Sequence, residues 1–105
     1  PKLTVSDARV RWDDPALAID RRIRAVTKEP GAWTMHGEVR IKLGPVTVSP
    51  QVTDLAPGQV ELREGEVLVG TGSHAIALDT VHEAGRNISD AKVWFNNQSS
   101  SVVFA

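Results

Sequence analysis

Residues 13–33, DDPALAIDRRIRAVTKEPGAW, form the most informative segment of this chain because they predict a helix followed by a rigid turn. The pair Asp13-Asp14 ahead of Pro15 marks a helix start: an aspartate caps the first turn, and proline takes the first helical position, where its missing N–H costs nothing. Apolar residues follow at helical spacing, at Ala16, Ile19, Ile23 and Val26. We predict an amphipathic helix over residues 13–28 that stops before Pro30, because proline disfavours helical geometry in the residue before it.

The predicted helix carries three arginines, Arg21, Arg22 and Arg24, on or beside its outer surface. Asp20 is placed to pair with Arg24 at i,i+4. The net charge of −1 argues by itself against a nucleic-acid binder, but residues 1–42 contain nine Lys and Arg against six acids, whereas the remainder contains three against seven. This asymmetry predicts a basic face on a nearly neutral body. The alternative is that the charges only solvate the surface of a small domain.

From Trp33 onward the pattern changes to a period of two, which indicates short β-strands. Residues 1–12 predict an extended arm or first strand, and residues 32–82 hold the strands of the body. The clearest strand segments are 39–43, 46–48, 59–62, 66–70 and 74–78. Such short strands separated by turn residues predict a small barrel or sandwich. Residues 88–105 predict a short helix capped by Ser89, then a polar tail that ends by docking Val102-Val103-Phe104 on the body.

Length and composition limit the class of protein. A chain of 105 residues has room for one domain, so we assign residues 1–105 to a single unit. Cysteine is absent, which excludes disulfides and thiolate metal sites and fits a reducing compartment. No apolar run approaches the roughly 18–20 residues that span a bilayer, and no signal peptide is evident. The chain starts at Pro1, which suggests a processed product or a piece of a longer protein.

We expect no catalytic or metal-binding residues in this chain. The histidines His36, His74 and His82 have no partner at the spacing of a metal site or a catalytic triad. The sequence Gly70-Thr71-Gly72 predicts a hairpin turn, because a phosphate-binding loop would need a lysine and a following helix. Trp33 is expected to fill the core between helix and strands rather than to stack on bases. Any nucleic acid would therefore be recognised through backbone charge and duplex shape.

Several of these segments together resemble the C-terminal domain of the methionyl-tRNA formyltransferase family. The resemblance is carried by residues 20–25 (DRRIRA), 30–34 (PGAWT) and 57–60 (PGQV), with 11–15 (RWDDP) as the lead-in and Lys42 on its strand. It spans residues 2–85. It implies an all-β or β-rich α+β fold, a small OB-type five-stranded Greek-key barrel with one N-terminal amphipathic helix and a short C-terminal helix. It also implies a cytoplasmic protein with no membrane segment and no cofactor of its own.

In function, the resemblance implies a non-catalytic tRNA-binding appendage. Its partners would be tRNA and a formyltransferase catalytic domain in the parent chain, which uses 10-formyltetrahydrofolate. The side chains expected to contact the tRNA phosphate backbone are Arg21, Arg22, Arg24, Arg40, Lys42 and Arg86. The near-zero net charge, and a loop at Arg86 with one base where the family typically has two, favour instead a barrel for packing or oligomerisation. The unusual tail 92–105 favours a third alternative, an altered domain with no activity.

Overall fold

The computed structural model describes residues 8–26, 31–98 and 101–105, and within them the chain is mostly β-structure with two helices. This confirms the predicted β-rich class. The elements are α1 (Ala16–Ala25), β1 (Trp33–His36), β2 (Val39–Leu43), β3 (Val46–Ser49), β4 (Gln59–Arg63), β5 (Glu66–Val69), β6 (Ala75–Leu78), β7 (Thr80–Glu83), β8 (Ser89–Asp90), α2 (Ala91–Asn96) and β9 (Val102–Val103). None of the described helices is long and apolar enough to cross a membrane.

The strands form two antiparallel sheets that share long, bent stretches of chain. The four-stranded sheet has the order β1-β2-β7-β8, and the five-stranded sheet has the order β3-β6-β5-β4-β9. The chain passes from β2 into β3 through Gly44-Pro45 and from β6 into β7 through Asp79. Because β2 pairs with β7 while β3 pairs with β6, the two sheets are two halves of one bent surface.

The C-terminal segment joins the remaining edges of the two sheets. Val102 and Val103 pair with β4, and Ala105 then exchanges two backbone hydrogen bonds with Met35 of β1, at 2.9 and 3.2 Å. Hydrogen bonding thus continues from the last strand of one sheet to the first strand of the other. Val102 and Phe104 are buried as predicted for this tail, whereas Val103 between them is exposed.

A buried hydroxyl ties the N-terminal segment into the same junction. The Trp12 Nε1–H donates to Thr34 Oγ1 at 2.8 Å, and the Thr34 hydroxyl donates to the Ala105 carbonyl at 3.1 Å. Thr34 is fully buried, and Trp12 packs its ring against Phe104 with centroids 5.7 Å apart. The Thr34 side chain therefore connects the segment before α1, strand β1 and the last residue.

The start of α1 differs from the predicted start at Asp13. Residues 12–14 form a turn in which the Asp14 N–H donates to the Arg11 carbonyl, and Pro15 is the N-cap without a side-chain capping bond. The cap comes from a distant turn instead, because Ser73 Oγ accepts from the Ala16 N–H at 2.9 Å. The Gly72 N–H also donates to the Asp14 carbonyl, which fixes this turn against the helix start.

The other predicted boundaries have mixed outcomes. The apolar face of α1 is buried as predicted, at Ala16, Ile19, Ile23 and Val26. The helix ends at Ala25; residues 27–28, predicted as helical, and residues 1–7 of the predicted arm lie outside the described residues. Ser89 does not cap α2, because its backbone pairs with Val81 in β8; the cap is Asp90, whose Oδ1 accepts from the Lys92 N–H at 2.8 Å.

Candidate nucleic-acid interface

Residues 8–12, which precede α1 and are called the lead-in from here on, present two arginines on one side. Ala8, Val10 and Trp12 are buried, whereas Arg9 and Arg11 between them are exposed. The Val10 N–H donates to the Trp33 carbonyl at 2.9 Å, so the segment lies against β1. Residues two apart in an extended segment share a side. The strand-like alternation therefore places Arg9 and Arg11 together at the surface.

The outer face of the four-stranded sheet carries more cations around Trp33. In the β1–β2 register Trp33 lies opposite Lys42, and the next pair, Thr34 and Ile41, is fully buried on the core side. Alternation therefore puts Trp33, Arg40 and Lys42 on the other face. The Arg40 guanidinium carbon lies 4.3 Å from the Trp33 ring centroid. We call Arg9, Trp33, Arg40 and Lys42 the Trp33 face.

Arg9 completes this face from the lead-in segment. Its guanidinium carbon lies 5.3 Å from the Trp33 ring centroid, so two guanidinium groups contact one indole. Cation–π contacts of this kind contribute about 0.5–2 kcal/mol each, depending on solvent exposure. Trp33 itself is only 7% exposed, which confirms its predicted burial. The indole therefore holds the two arginines in place and offers no free ring to a base.

A small cleft connects the lead-in with α1. It has a volume of about 60 Å³ and is lined by Arg9, Val10, Arg11, Asp14, Ile19 and Arg22. We call it the arginine cleft. Arg9 belongs to both the cleft and the Trp33 face, so the basic side chains run without a break from α1 across the lead-in to β2.

The three helix arginines are divided between different surroundings. At about 100° per residue, Arg22 and Arg24 lie about 160° apart around the helix axis. Arg22 lines the arginine cleft, whereas Arg24 makes a 2.6 Å ion pair with Asp20 on the other flank. The predicted i,i+4 pair is present, and its carboxylate offsets the charge of Arg24. Arg21 is exposed on the side away from the core. The helix therefore does not present its arginines as one cluster.

Arg86 lies near the basic surface but has a carboxylate partner. The Ala84 N–H donates to the Arg40 carbonyl, which places the start of this loop beside β2. The Arg86 guanidinium pairs with Glu83 at 2.8 Å, and the same carboxylate accepts from Trp94 Nε1 at 3.2 Å. Its contribution to any basic surface is therefore reduced.

Arg63 on β4 is the most strongly paired cation among the described residues. Its guanidinium contacts both oxygens of Asp54, at 2.8 and 2.9 Å, and Glu61 at 2.8 Å. The hydrogen bond from Arg63 lowers the pKa of the Asp54 carboxyl below its ordinary value of 3.8. This arginine serves the structure of the strand and its preceding loop.

The histidines occupy separate places in the fold. The His36 ring packs edge-on against Trp94 with centroids 5.6 Å apart, and His74 Nδ1 lies 3.4 Å from the Ala75 carbonyl. His82 is opposite Lys42 in the β2–β7 register and so belongs beside the Trp33 face.

Two residues of the basic surface, Arg9 and Arg11, are absent from the sequence-predicted set. Their signal is the alternation of apolar and basic residues over positions 8–12, the same pattern that identified β2. That pattern shows which residues face solvent. It does not show that the segment packs beside Trp33, because that contact joins positions more than 20 residues apart.

The sequence matches the family model described as formyl transferase, C-terminal domain, over residues 2–99. The chain belongs to this family. The formyl transferase C-terminal domain is 54% identical over 94 residues to a methionyl-tRNA formyltransferase of Mycobacteroides abscessus, covering 90% of this chain and 30% of that protein. It is 49% identical over 106 residues to the enzyme of the same name from Pseudarthrobacter chlorophenolicus, covering 99% of this chain and 35% of that protein. The chain thus spans about a third of these relatives, and the resemblance found in the sequence is confirmed.

Solved structures show the same fold in a more distant protein. A variant of HypX from Aquifex aeolicus matches this formyl transferase C-terminal domain with a TM-score of 0.75 at 19% identity, over 91% of this chain and 18% of that one. HypX in complex with tetrahydrofolic acid matches at the same TM-score and 16% identity, over 100% of this chain and 22% of that one. At this identity the likeness shows the fold alone.

Proposed function

We propose that this domain is a tRNA-binding appendage of a methionyl-tRNA formyltransferase. The observation that carries the proposal is the continuous basic surface formed by the arginine cleft and the Trp33 face. Within residues 8–26, 31–98 and 101–105, no carboxylate lies within ion-pair distance of Arg9, Arg11, Arg40 or Lys42. The names of the 54% and 49% identical relatives support tRNA as the nucleic acid.

The chemistry of the surface suits a phosphate backbone. A guanidinium stacked on an indole contacts the ring with its flat face, which leaves its N–H edge available for a phosphate. Two such groups and the Lys42 ammonium lie on one face, and Arg11 and Arg22 continue the surface toward α1. Contacts of this type carry no base information, so binding is sequence-independent. Arg21, Arg24 and Arg86 are weaker contributors, the last two because they are paired.

In this role the domain performs no chemical step, which belongs to another part of the parent protein. A formyltransferase catalytic domain would use 10-formyltetrahydrofolate, while this domain holds the tRNA and carries no catalytic group or cofactor. A tRNA-binding role also implies a cytoplasmic protein, since tRNA is aminoacylated and used there.

A titration of the chain with tRNA at low salt tests the proposal. With about five phosphate contacts, the slope of log affinity against log salt is expected to be on the order of −3 to −5. The double variant Arg40→Ala/Lys42→Ala should weaken binding by about tenfold or more and flatten the slope by about 1.5–2. Lys92→Ala, which removes an exposed charge on α2, is the matched control and should bind as the unaltered chain does. Equal affinities for all three proteins would contradict the proposal.

A packing role is the second candidate, and an apolar groove favours it. The groove, of about 480 Å³, lies between α2 and the edge strand β9 and includes Phe95, Val103 and Pro57. Val103 is 56% exposed, an unusual position for valine at a sheet edge. A Val103→Asp variant that changes the sedimentation of the chain or its association with the rest of its parent protein, while tRNA fails to bind either form, would establish this role instead.

A further inference from the structure

We propose that His82 is a further phosphate contact of the basic surface, and that it acts in its protonated form. In that role the imidazole extends the Trp33 face from β2 onto β7 and makes the charge of this surface depend on pH. The choice of tRNA as the ligand rests on the proposed function, whereas the residue and the pH dependence go beyond it.

The register of β2 and β7 determines the face on which His82 lies. His82 is directly opposite Lys42, whereas the next pair along, Leu43 and Val81, is buried in the core. Side chains of directly opposite residues in antiparallel strands share a face, with their Cβ atoms about 4.5–5.5 Å apart. His82 therefore lies beside Lys42 on the outer face of the four-stranded sheet, where it is partly exposed.

The imidazole of His82 has no polar partner in the part of the chain that the structure describes. Among those residues, no group makes a hydrogen bond with its ring nitrogens, and no carboxylate lies within ion-pair distance of it. By contrast, Nδ1 of His74 lies 3.4 Å from the Ala75 carbonyl. No described group therefore competes with a ligand for the nitrogens of His82, and a protonated imidazole donates from both of them.

The charged groups on the elements packed against β7 are either cations or acids with partners of their own. They are Lys42 and Arg40 on β2, Asp90 on β8, Lys92 on α2, and Glu83 and Arg86 at the end of β7 and in the loop after it. The Asp90 carboxylate accepts from the Lys92 N–H at 2.8 Å and so caps α2. Glu83 lies on the opposite face of β7 and pairs with Arg86 at 2.8 Å. A proton on His82 therefore adds charge to a cationic surface and does not complete an internal ion pair.

The chemistry of histidine makes this contact respond to pH. Histidine is the side chain that changes its charge between about pH 5 and 8. A phosphodiester keeps its single negative charge over that range, so only the protein side of the contact changes. A phosphate that lies over Lys42 and protonated His82 accepts charge-assisted hydrogen bonds from both. Binding and protonation therefore favour each other: lower pH strengthens the binding of tRNA, and tRNA promotes the uptake of a proton.

Titration of the chain with tRNA at about pH 8 and about pH 6, at the same low ionic strength, tests the role of His82. Affinity should be about three- to tenfold higher at the lower pH, and the slope of log affinity against log salt should steepen by about 0.5–0.9, the contribution of one added phosphate contact. His82→Gln should remove this pH dependence. His82→Arg is charged at both pH values and should bind at the higher pH about as the unaltered chain does at the lower one. His74→Gln, which removes a histidine beside the other sheet, is the matched control and should keep the full pH dependence.

Calorimetry in two buffers of different ionisation enthalpy adds a measurement that a purely structural residue would not change. At about pH 6.5 the unaltered chain should take up a fraction of a proton as it binds tRNA, and His82→Gln should lose that uptake. Circular dichroism of each variant verifies the fold. If tRNA binds but His82→Gln keeps the pH dependence and the proton uptake, the role of His82 is overturned and the proposed function stands. If tRNA binds none of these proteins at either pH, the proposed function fails and the role of His82 fails with it.

Discussion

The arginines of this domain fall into two regions that use the same side chain differently. On the Trp33 face, Arg9 and Arg40 lie against an indole and their charges are left for the surface. On the far flank of α1 and in the loop after β7, Arg24 and Arg86 are tied to Asp20 and Glu83. Stacking holds a guanidinium without offsetting its charge, whereas a carboxylate holds it and offsets the charge.

Local sequence explains why the two regions differ. Arg24 has an acid four positions earlier on a helix, and Arg86 has one three positions earlier in a turn, and both spacings bring side chains together. Arg40 is on a strand, where it lies opposite Met35 of β1 and has Trp33 as a diagonal neighbour on the same face. Exposed ion pairs stabilise a protein by only about 0–1 kcal/mol. Pairing with a carboxylate therefore adds little to the stability of this domain, but it reduces the positive charge that Arg24 and Arg86 offer to a phosphate.

The largest effect expected is a loss of stability when the buried Thr34 hydroxyl, which joins Trp12 to Ala105, is removed. Thr34→Val leaves the buried Trp12 indole N–H without its acceptor and removes one of the two hydrogen bonds to the Ala105 carbonyl, which keeps its bond from the Met35 N–H. A buried donor left unsatisfied costs about 1–3 kcal/mol. The free energy of unfolding measured in urea should fall by about 1–3 kcal/mol. Thr47→Val, at an exposed position on β3, is the control and should stay within about 0.5 kcal/mol. Equal effects at both sites would show that the buried bonds do not hold the lead-in.

Two double variants that each remove two positive charges test whether stacked and carboxylate-paired arginines differ in tRNA binding. Arg9→Ala/Arg40→Ala removes the stacked pair and should lower tRNA affinity by about 30-fold at low salt, with the slope flattened by about 1.5–2. Arg24→Ala/Arg86→Ala removes the tied pair and should lower affinity by less than about threefold. Binding measured by fluorescence titration decides the matter. If the second variant loses as much as the first, pairing with carboxylates does not decide which arginines act.

A conservative change separates stacking from charge. Arg40→Lys keeps the positive charge but loses the flat group that lies 4.3 Å from the indole centroid. The salt slope should be unchanged, while affinity for tRNA falls about three- to tenfold, the equivalent of one lost cation–π contact. Lys42→Arg is the opposite control and should not weaken binding. An affinity for Arg40→Lys equal to that of the unaltered chain would mean that charge alone matters.

The smallest effect expected is the loss of stability at low pH that comes from the ion pair of Arg63 with Asp54. Because Arg63 lowers the pKa of Asp54 in the folded chain, that pair stabilises the fold above the ordinary pKa of 3.8 and loses this contribution as the pH falls through the lower, folded value. Urea unfolding between pH 5 and about pH 2 should show a shallower loss of stability for Asp54→Asn than for the unaltered chain. Asp79→Asn, an exposed acid between β6 and β7, is the control. Identical pH profiles for all three would show that the pair does not contribute.

Much of the fold follows from local pattern. The spacing of Ile19 and Ile23 predicts the buried side of α1, and alternation predicts strand β2. The segments 59–62 and 66–70, predicted as strands, are β4 and β5. Helical spacing also predicts the Asp20–Arg24 pair. The short strands β8 and β9 are not evident in the sequence, because two-residue strands have too little periodicity to stand out. The helix starts later than the sequence pattern predicts, because the side chain that caps it, Ser73, belongs to another part of the chain.

Local spacing predicts the buried face of α1 and the arginines that have an acid within one helical turn, because both depend on neighbours along the chain. The packing of distant segments brings Arg9 against Trp33, places Arg9 and Arg11 in one cleft with Arg22, and gives Arg22 and Arg24 different surroundings. These contacts depend on how the lead-in packs on β1 and how Ala105 joins the two sheets, which are pairings between distant positions. Periodicity determines the face of an element on which a residue lies, and packing between elements determines which other residues its side chain contacts.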